Sequence, residues 1–205
     1  MSILSLDHVV LACANLDAGT VWLEQKLGVP LAPGGKHLGF GTHNRLLQLA
    51  GGAYLELIAP DPSQGKVSQA MPFGLDLSCP KLPTLIHYVC STPNIETCLP
   101  QLFYVPGIAR AMKRDQLQWK IATLGSGPLP LGGLLPTVIE WPPNVHPSKT
   151  LPHQGVSLLR LSLAADADLL KRLQAVLNDL RINWLESAQP WLGLELQTPL
   201  GRVFL

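Results

Sequence analysis

The chain has 205 residues, of which 47 % are hydrophobic and only 14 % charged, and its formal net charge is +1. That balance supplies a large core and little charged surface, and it excludes the basic field that nucleic acid or an acidic membrane surface would require. No apolar run reaches the roughly 18 residues of a membrane span, and the first residues lack a secretory leader pattern. Cys13, Cys79, Cys90 and Cys98 show no paired spacing, so free thiols and a cytoplasmic location are expected.

Leu6 to Cys13 reads as a buried, β-branched strand. Asn15 or Asp17 can cap the following helix, which carries Val21, Trp22, Leu23 and Leu27 and meets a C-cap signal at Gly28. A glycine-rich polar stretch from Gly34 to Asn44 precedes a hairpin of Arg45–Leu49 and Ala53–Ile58, turned at Gly51 and Gly52. The module is therefore βαβββ. Residues 61–83 read as a connector, rich in Pro, Gly and Ser.

Leu85 to Ile95 then overlies Leu6 to Leu16 without a gap, with His87 on His8 and Asn94 on Asn15. A short helix over 94–102 follows, then strands from Gly107 to Lys113 and Gln116 to Leu124. Thr137 to Pro142 closes the copy and is matched to Tyr54–Pro60 with Glu140 on Glu56. The expected fold class is α+β: duplicated βαβββ modules, residues 1–60 and 84–142, form a curved mixed sheet around a central cavity. Residues 143–205 are a linker and a partial third module, with a strand at Ser157–Ala164, a helix from Asp166 to Leu180, and further strands that extend or brace the sheet. One domain spanning 1–205 is the expected organisation.

Packing the two copies about a pseudo-twofold axis brings His8, Glu56, His87 and Glu140 to one cavity. Imidazoles and carboxylates are the ligand set of a borderline divalent metal such as Zn, Ni, Co, Fe or Mn. Such a metal polarises a carbonyl, and a weakly held carboxylate beside it can act as a general base. Taken singly, each of the four is read more simply as a hydrogen-bonded core residue or a solvated side chain; the repetition raises them together. Asp7 offers the opposite strand face. His37, Thr42, His43, Asn44 and Arg45 are candidate substrate contacts, against a plainer role in satisfying the glycine-rich turns. Trp119 and Trp141 are candidate pocket walls, against plain core burial. His146 and His153 fall in a Pro-rich linker and are expected to face solvent.

These paired modules resemble the vicinal-oxygen-chelate superfamily of glyoxalase I, extradiol dioxygenases and fosfomycin-resistance proteins. Gly34-Gly35-Lys36-His37, Gly41-Thr42-His43-Asn44 and Ile139-Glu140-Trp141-Pro142 are similar to its glyoxalase-like domain branch. The resemblance implies metal ligation by His8, Glu56, His87 and Glu140, with a glutamate (Glu140 or Glu56) moving a proton between adjacent carbons. It implies a small-molecule lyase or isomerase acting on a carbonyl or vicinal-oxygen compound, in a chain compatible with a homodimer. No match to glutathione-holding residues is seen. The alternatives are an extradiol-type dioxygenase built on His8, His87 and Glu140, and a metal-free small-molecule binding protein of the same fold.

Overall fold

Strand β1 (Ser5–Ala12) is buried over nearly its whole length, as its unbroken apolar run requires. Helix α1 (Leu16–Leu27) starts at Asn15, whose side chain accepts a hydrogen bond from Ala18 N, and ends at Gly28 in the left-handed conformation with φ 73°. Its buried side, Leu16, Leu23 and Leu27, packs on the sheet. Strands β2 (Ala32–His37), β3 (Thr42–Gln48) and β4 (Tyr54–Pro60) complete module one. Residues 3–65, 69–76, 78–114, 117–125 and 127–205 are described by this computed structural model; Gln116, expected at the start of a strand, lies outside them.

Module two repeats the order with β5 (Thr84–Ser91), α2 (Ile95–Cys98), β6 (Ile108–Arg114), β7 (Leu117–Thr123) and β8 (Thr137–Glu140). Its helix is shorter than the expected 94–102: α-helical geometry stops at Cys98 and a 3₁₀ turn covers Leu99–Gln101. Pro100 has no amide hydrogen to continue the ladder.

The two modules form one eight-stranded sheet in the order β2-β3-β4-β1-β5-β8-β7-β6. In each copy the first strand lies parallel to the last, β1 against β4 and β5 against β8, while β1 and β5 meet antiparallel at the junction. That arrangement is a pseudo-twofold. The sheet curls so that Val10, Ala12, Ile58, Val89, Trp119 and Ile139 pack on its concave side. Val9, Leu11, Leu55, Leu57 and Cys90 face the other side and the main core.

The remaining strands, β9 (Ser157–Ala165), β10 (Ile182–Glu186), β11 (Trp191–Thr198) and β12 (Gly201–Phe204), form a separate four-stranded sheet, β10-β9-β11-β12, with helix α3 (Ala167–Val176) between its first two members. This portion does not extend the large sheet as a strand-by-strand continuation. Leu158, Leu161, Leu163, Leu173 and Leu177 instead join the core cluster behind it. The element order is again βαβββ, but β9 pairs in parallel with β10, the strand directly after its helix. The third unit thus repeats the order of modules one and two and not their wiring. Its helix also ends earlier than expected, because Leu177 leaves helical geometry (φ −131°, ψ 115°), and Leu180 is fully exposed. Among the described residues no helix is long and apolar enough to cross a membrane.

Candidate active site

A cavity of about 410 Å³ opens on the concave face, within the size range of small-molecule sites. Its floor is module one. His8 projects from β1, Tyr54 and Glu56 from β4, Asn44 from β3 and His37 from β2. All five are buried.

The centre of this floor is His8. Its Nδ1 lies 2.7 Å from Asp7 Oδ1 and its Nε2 3.6 Å from Glu56 Oε2, while its ring stacks on Tyr54 at 4.4 Å. The 3.6 Å approach is an ion pair and too long for a hydrogen bond. Neighbouring residues alternate across a strand, and both faces of β1 are buried, with Asp7 due on the side of Val9 and Leu11; the β1–β5 register, however, shifts between Leu6 and His8. The bulge turns a carboxylate that would face away into the partner of the next side chain. Asp7 Oδ2 in turn accepts from Trp141 Nε1 and from His146 Nε2, both at 3.1 Å. The His146 Nδ1 accepts from Ser148 N, so the Nε2 proton points at Asp7. His146, expected in solvent, is therefore a partner of the site, and its neighbour Pro147 lines the cavity.

Glu56 is held from its other side by Asn44, whose Nδ2 makes a short hydrogen bond to Oε1. Asn44 Oδ1 accepts from Gly35 N at 2.9 Å, which fixes the orientation of the amide. Gly34 permits this, because a Cβ there would fall 2.0 Å from Asn44 Oδ1. The glycine pair expected only to turn the chain thus seats the asparagine.

Burial alone would neutralise these groups, and their mutual contacts overcome it. Asp7 is pushed upward by burial, but hydrogen bonds from His146 and His8 bring its carboxyl down to about 2. Burial opposes charge on His8, but its hydrogen bond to Asp7 and the nearby Glu56 lift it to about 9. Glu56, likewise penalised by burial, is brought to about 2 by His8 and Asn44. At neutral pH the row reads carboxylate, imidazolium, carboxylate.

The other expected site residues are placed differently. His87 is buried, with Nδ1 2.9 Å from the Gly133 carbonyl and Nε2 accepting from Thr137 N at 3.2 Å, close also to Thr137 Oγ1 at 2.9 Å. Neither nitrogen is turned to the cavity, which His87 does not line. Burial pushes its pKa down to about 4, so it is neutral. Glu140 is on the far face of the sheet: Oε2 accepts from Ile95 N at 2.7 Å, at the start of α2, and Oε1 lies 3.6 Å from Lys120 Nζ. Strand register explains the difference. Val10 pairs with Glu56, and its counterpart Val89 pairs with Thr137. Thr137 is therefore the equivalent of Glu56, and the expected match of Glu140 to Glu56 is three residues out of step. An odd slip moves a side chain to the opposite face.

Of the candidate substrate contacts, His37, Asn44 and Trp119 line the cavity. Thr42 is buried beneath it as the partner of His37 Nδ1 at 2.9 Å. His43 and Arg45 alternate with Thr42, Asn44 and Leu46 along β3 and do not line the cavity. Trp141 does, as do Met71, Phe73 and Gly74 of the segment read as a plain connector.

The donor set does not fit a divalent metal. A metal site needs several free lone pairs converging at bonding distance; here Glu140 is across the sheet, His87 has its lone pair on Thr137 N–H, and only His8 and Glu56 remain near one another. Among the described residues no group of three or more His, Cys, Asp and Glu side chains could hold an ion. The two-His-one-carboxylate set of a dioxygenase, His8, His87 and Glu140, fails for the same reasons.

The pseudo-twofold βαβββ pair and its concave cavity define a protein of the vicinal-oxygen-chelate type, and the chain belongs to the glyoxalase-like domain family, whose model matches residues 6–178. Among solved structures it is similar to methylmalonyl-CoA epimerase from Mycobacterium tuberculosis, a member of that superfamily, at 23 % identity and a TM-score of 0.44, covering 70 % of this chain and 92 % of that one. No curated protein matches the chain. Divalent metals are common in the superfamily, which makes the donor set here a departure.

Proposed function

We propose that the protein is a small-molecule lyase or isomerase that moves a proton next to a carbonyl group, using Glu56 and His8 in place of the expected metal. The observation that carries this reading is the pair itself: a carboxylate and an imidazolium 3.6 Å apart on the floor of a mostly apolar cavity. Each is held from behind, Glu56 by Asn44 and His8 by Asp7.

A carbonyl oxygen seated against this row takes the His8 Nε2 hydrogen bond, and Glu56 takes the proton from the adjacent carbon. The C–H electron pair moves into the new C=C bond and the carbonyl pair onto oxygen, where the imidazolium stabilises it. In an α-hydroxy carbonyl compound the hydroxyl proton passes to the enolate oxygen, the hydroxyl-bearing carbon becomes the new carbonyl, and return of the abstracted proton to the former carbonyl carbon completes an isomerisation; departure of a β-substituent with its bonding pair completes an elimination. Glu56 is a weak base while it faces His8. Once the His8 proton turns to substrate, part of that restraint is lost, and the buried carboxylate becomes more basic.

A metal-free binding protein is the second reading, favoured by the low position of Glu56 and the apolar walls. Exchange of the α-protons of hydroxyacetone in D₂O, followed by NMR on protein dialysed against chelator, separates the two. The expected outcome is exchange that survives chelation and falls about 10²–10⁴-fold in Glu56→Gln, the usual worth of a general base. Exchange that appears only with added Zn²⁺ or Mn²⁺ sinks the metal-free mechanism. Ligand uptake with no exchange leaves a binding protein.

A further inference from the structure

The chain has four Phe, five Trp and three Tyr, and five of these twelve, Phe40, Tyr54, Phe73, Trp119 and Trp141, line the one cavity. They are unevenly placed. Trp119 and Trp141, from β7 and the residue after β8, lie 5.4 Å apart at 36° and form the wall contributed by module two. Beside them, module one supplies His8, Glu56, Asn44 and His37. The cavity thus combines the polar groups of module one with a pair of tilted indoles from module two.

The wall is also fixed relative to the chemistry. Trp141 Nε1 donates to the same Asp7 carboxylate that holds His8 Nδ1. One buried side chain thus ties the indole to the imidazole. Trp119 is 8 % exposed and meets His37 edge-on at 6.5 Å, which restrains its own plane. Buried, hydrogen-bonded ring faces reward a ligand that is itself flat: stacking adds to area burial, and little ligand entropy is lost.

Resting on the Glu56–His8 reading, we infer that the site takes aryl carbonyl compounds, with the ring lying on Trp119 and Trp141 and the carbonyl directed at His8. An acyl chain of equal carbon count would fill the same volume without the stacking and at a larger entropic cost.

The test compares three neutral α-hydroxy ketones on the purified full-length protein: 2-hydroxyacetophenone, 1-hydroxyoctan-2-one with the same number of carbons, and hydroxyacetone. Binding is read by calorimetry, which is independent of turnover, so that loss of proton exchange with retained aryl preference would count against the mechanism alone. The expected result is at least tenfold tighter binding of the aryl ketone than of either aliphatic one, with the ratio collapsing below threefold in Trp119→Leu. Trp141→Phe, which keeps a ring but loses the tie to Asp7, provides a second variant if Trp119→Leu fails to fold, and it should reduce the ratio severalfold. Equal affinities for the two eight-carbon ketones, or a preference for the octanone, would overturn the inference, as would an aryl preference that persists in both variants.

Discussion

In module one the histidine of the first strand faces Glu56 across 3.6 Å and has Asp7 behind it; in module two its counterpart, His87, is bonded to Thr137 at 2.9 Å and has the Gly133 carbonyl behind it. The position equivalent to Asp7 is Ile86. Backbone and strand order are the same, yet one histidine is an imidazolium between two carboxylates and the other a neutral ring between uncharged partners. The duplicated scaffold is the same, and two side chains, Asp7 and Glu56 in place of Ile86 and Thr137, set which histidine is charged. The conserved-looking histidine is the poorest guide to function, because its protonation state is set entirely by what lies on either side of it.

The sharpest way to break this comparison is to give module one the uncharged partner of module two. Asp7→Asn leaves the His8 cation with one carboxylate and keeps a single acceptor oxygen, so either His8 or the Trp141 and His146 pair faces an amide NH₂ where it had an acceptor. Breaking such a buried ionic group costs about 3–5 kcal/mol, measurable as a fall in the urea midpoint at unchanged slope. Ile86→Val, at the matching place in module two, should cost only about 1 kcal/mol.

A smaller effect separates the two histidines by pH. His87 has a folded pKa near 4 against 6.5 unfolded, so between those values the unfolded chain binds the extra proton and stability falls as the solution is acidified. His8 has a folded pKa near 9, so its contribution is complete below 6.5 and lost as pH rises towards 9. Asp7 and Glu56, lowered to about 2, lose theirs only below roughly pH 4. The acid limb between 6.5 and 4 therefore belongs to His87, with a size on the order of 2–3 kcal/mol, and His87→Gln should flatten it in denaturant titrations. An unchanged limb would mean that His87 is already charged at neutral pH.

The smallest effect tests the strand register. Glu140→Gln weakens the bond to Ile95 N at the start of α2 and should cost roughly 0.5–2 kcal/mol, with ketone binding unchanged because its side chain is across the sheet. A loss of binding as large as in a cavity residue would place Glu140 in the site after all.

The duplication was legible because Leu6–Leu16 and Leu85–Ile95 align without a gap over a strand and a capped helix start, where spacing is rigid. The closing strand was not, because β8 has only four residues, too short to fix its own phase. A glutamate in an apolar run then drew the alignment three positions away from Thr137, which no residue-type match could suggest. Asp7 was missed for the opposite reason: strict alternation puts it on the core face with Val9 and Leu11, away from the cavity, and the bulge turns it to His8. An acidic residue in an otherwise apolar strand was the available signal. His146 depended on where the linker returns, a tertiary fact with no local trace, and the same holds for Phe73 and Met71 in the connector.

The ties from Asp7 to Trp141 and His146 join residues 134 and 139 apart in sequence, and this has a kinetic consequence. Contacts of such separation close late, after the local hairpins. As the chain leaves the ribosome, module one can fold its strands long before the segment that holds Asp7 exists, and in that interval His8 is a histidine with an untethered carboxylate beside it. Proton-transfer competence should therefore emerge in refolding as a separate, slower phase than the gain of sheet. A chain that stops short of His146 lacks both ties.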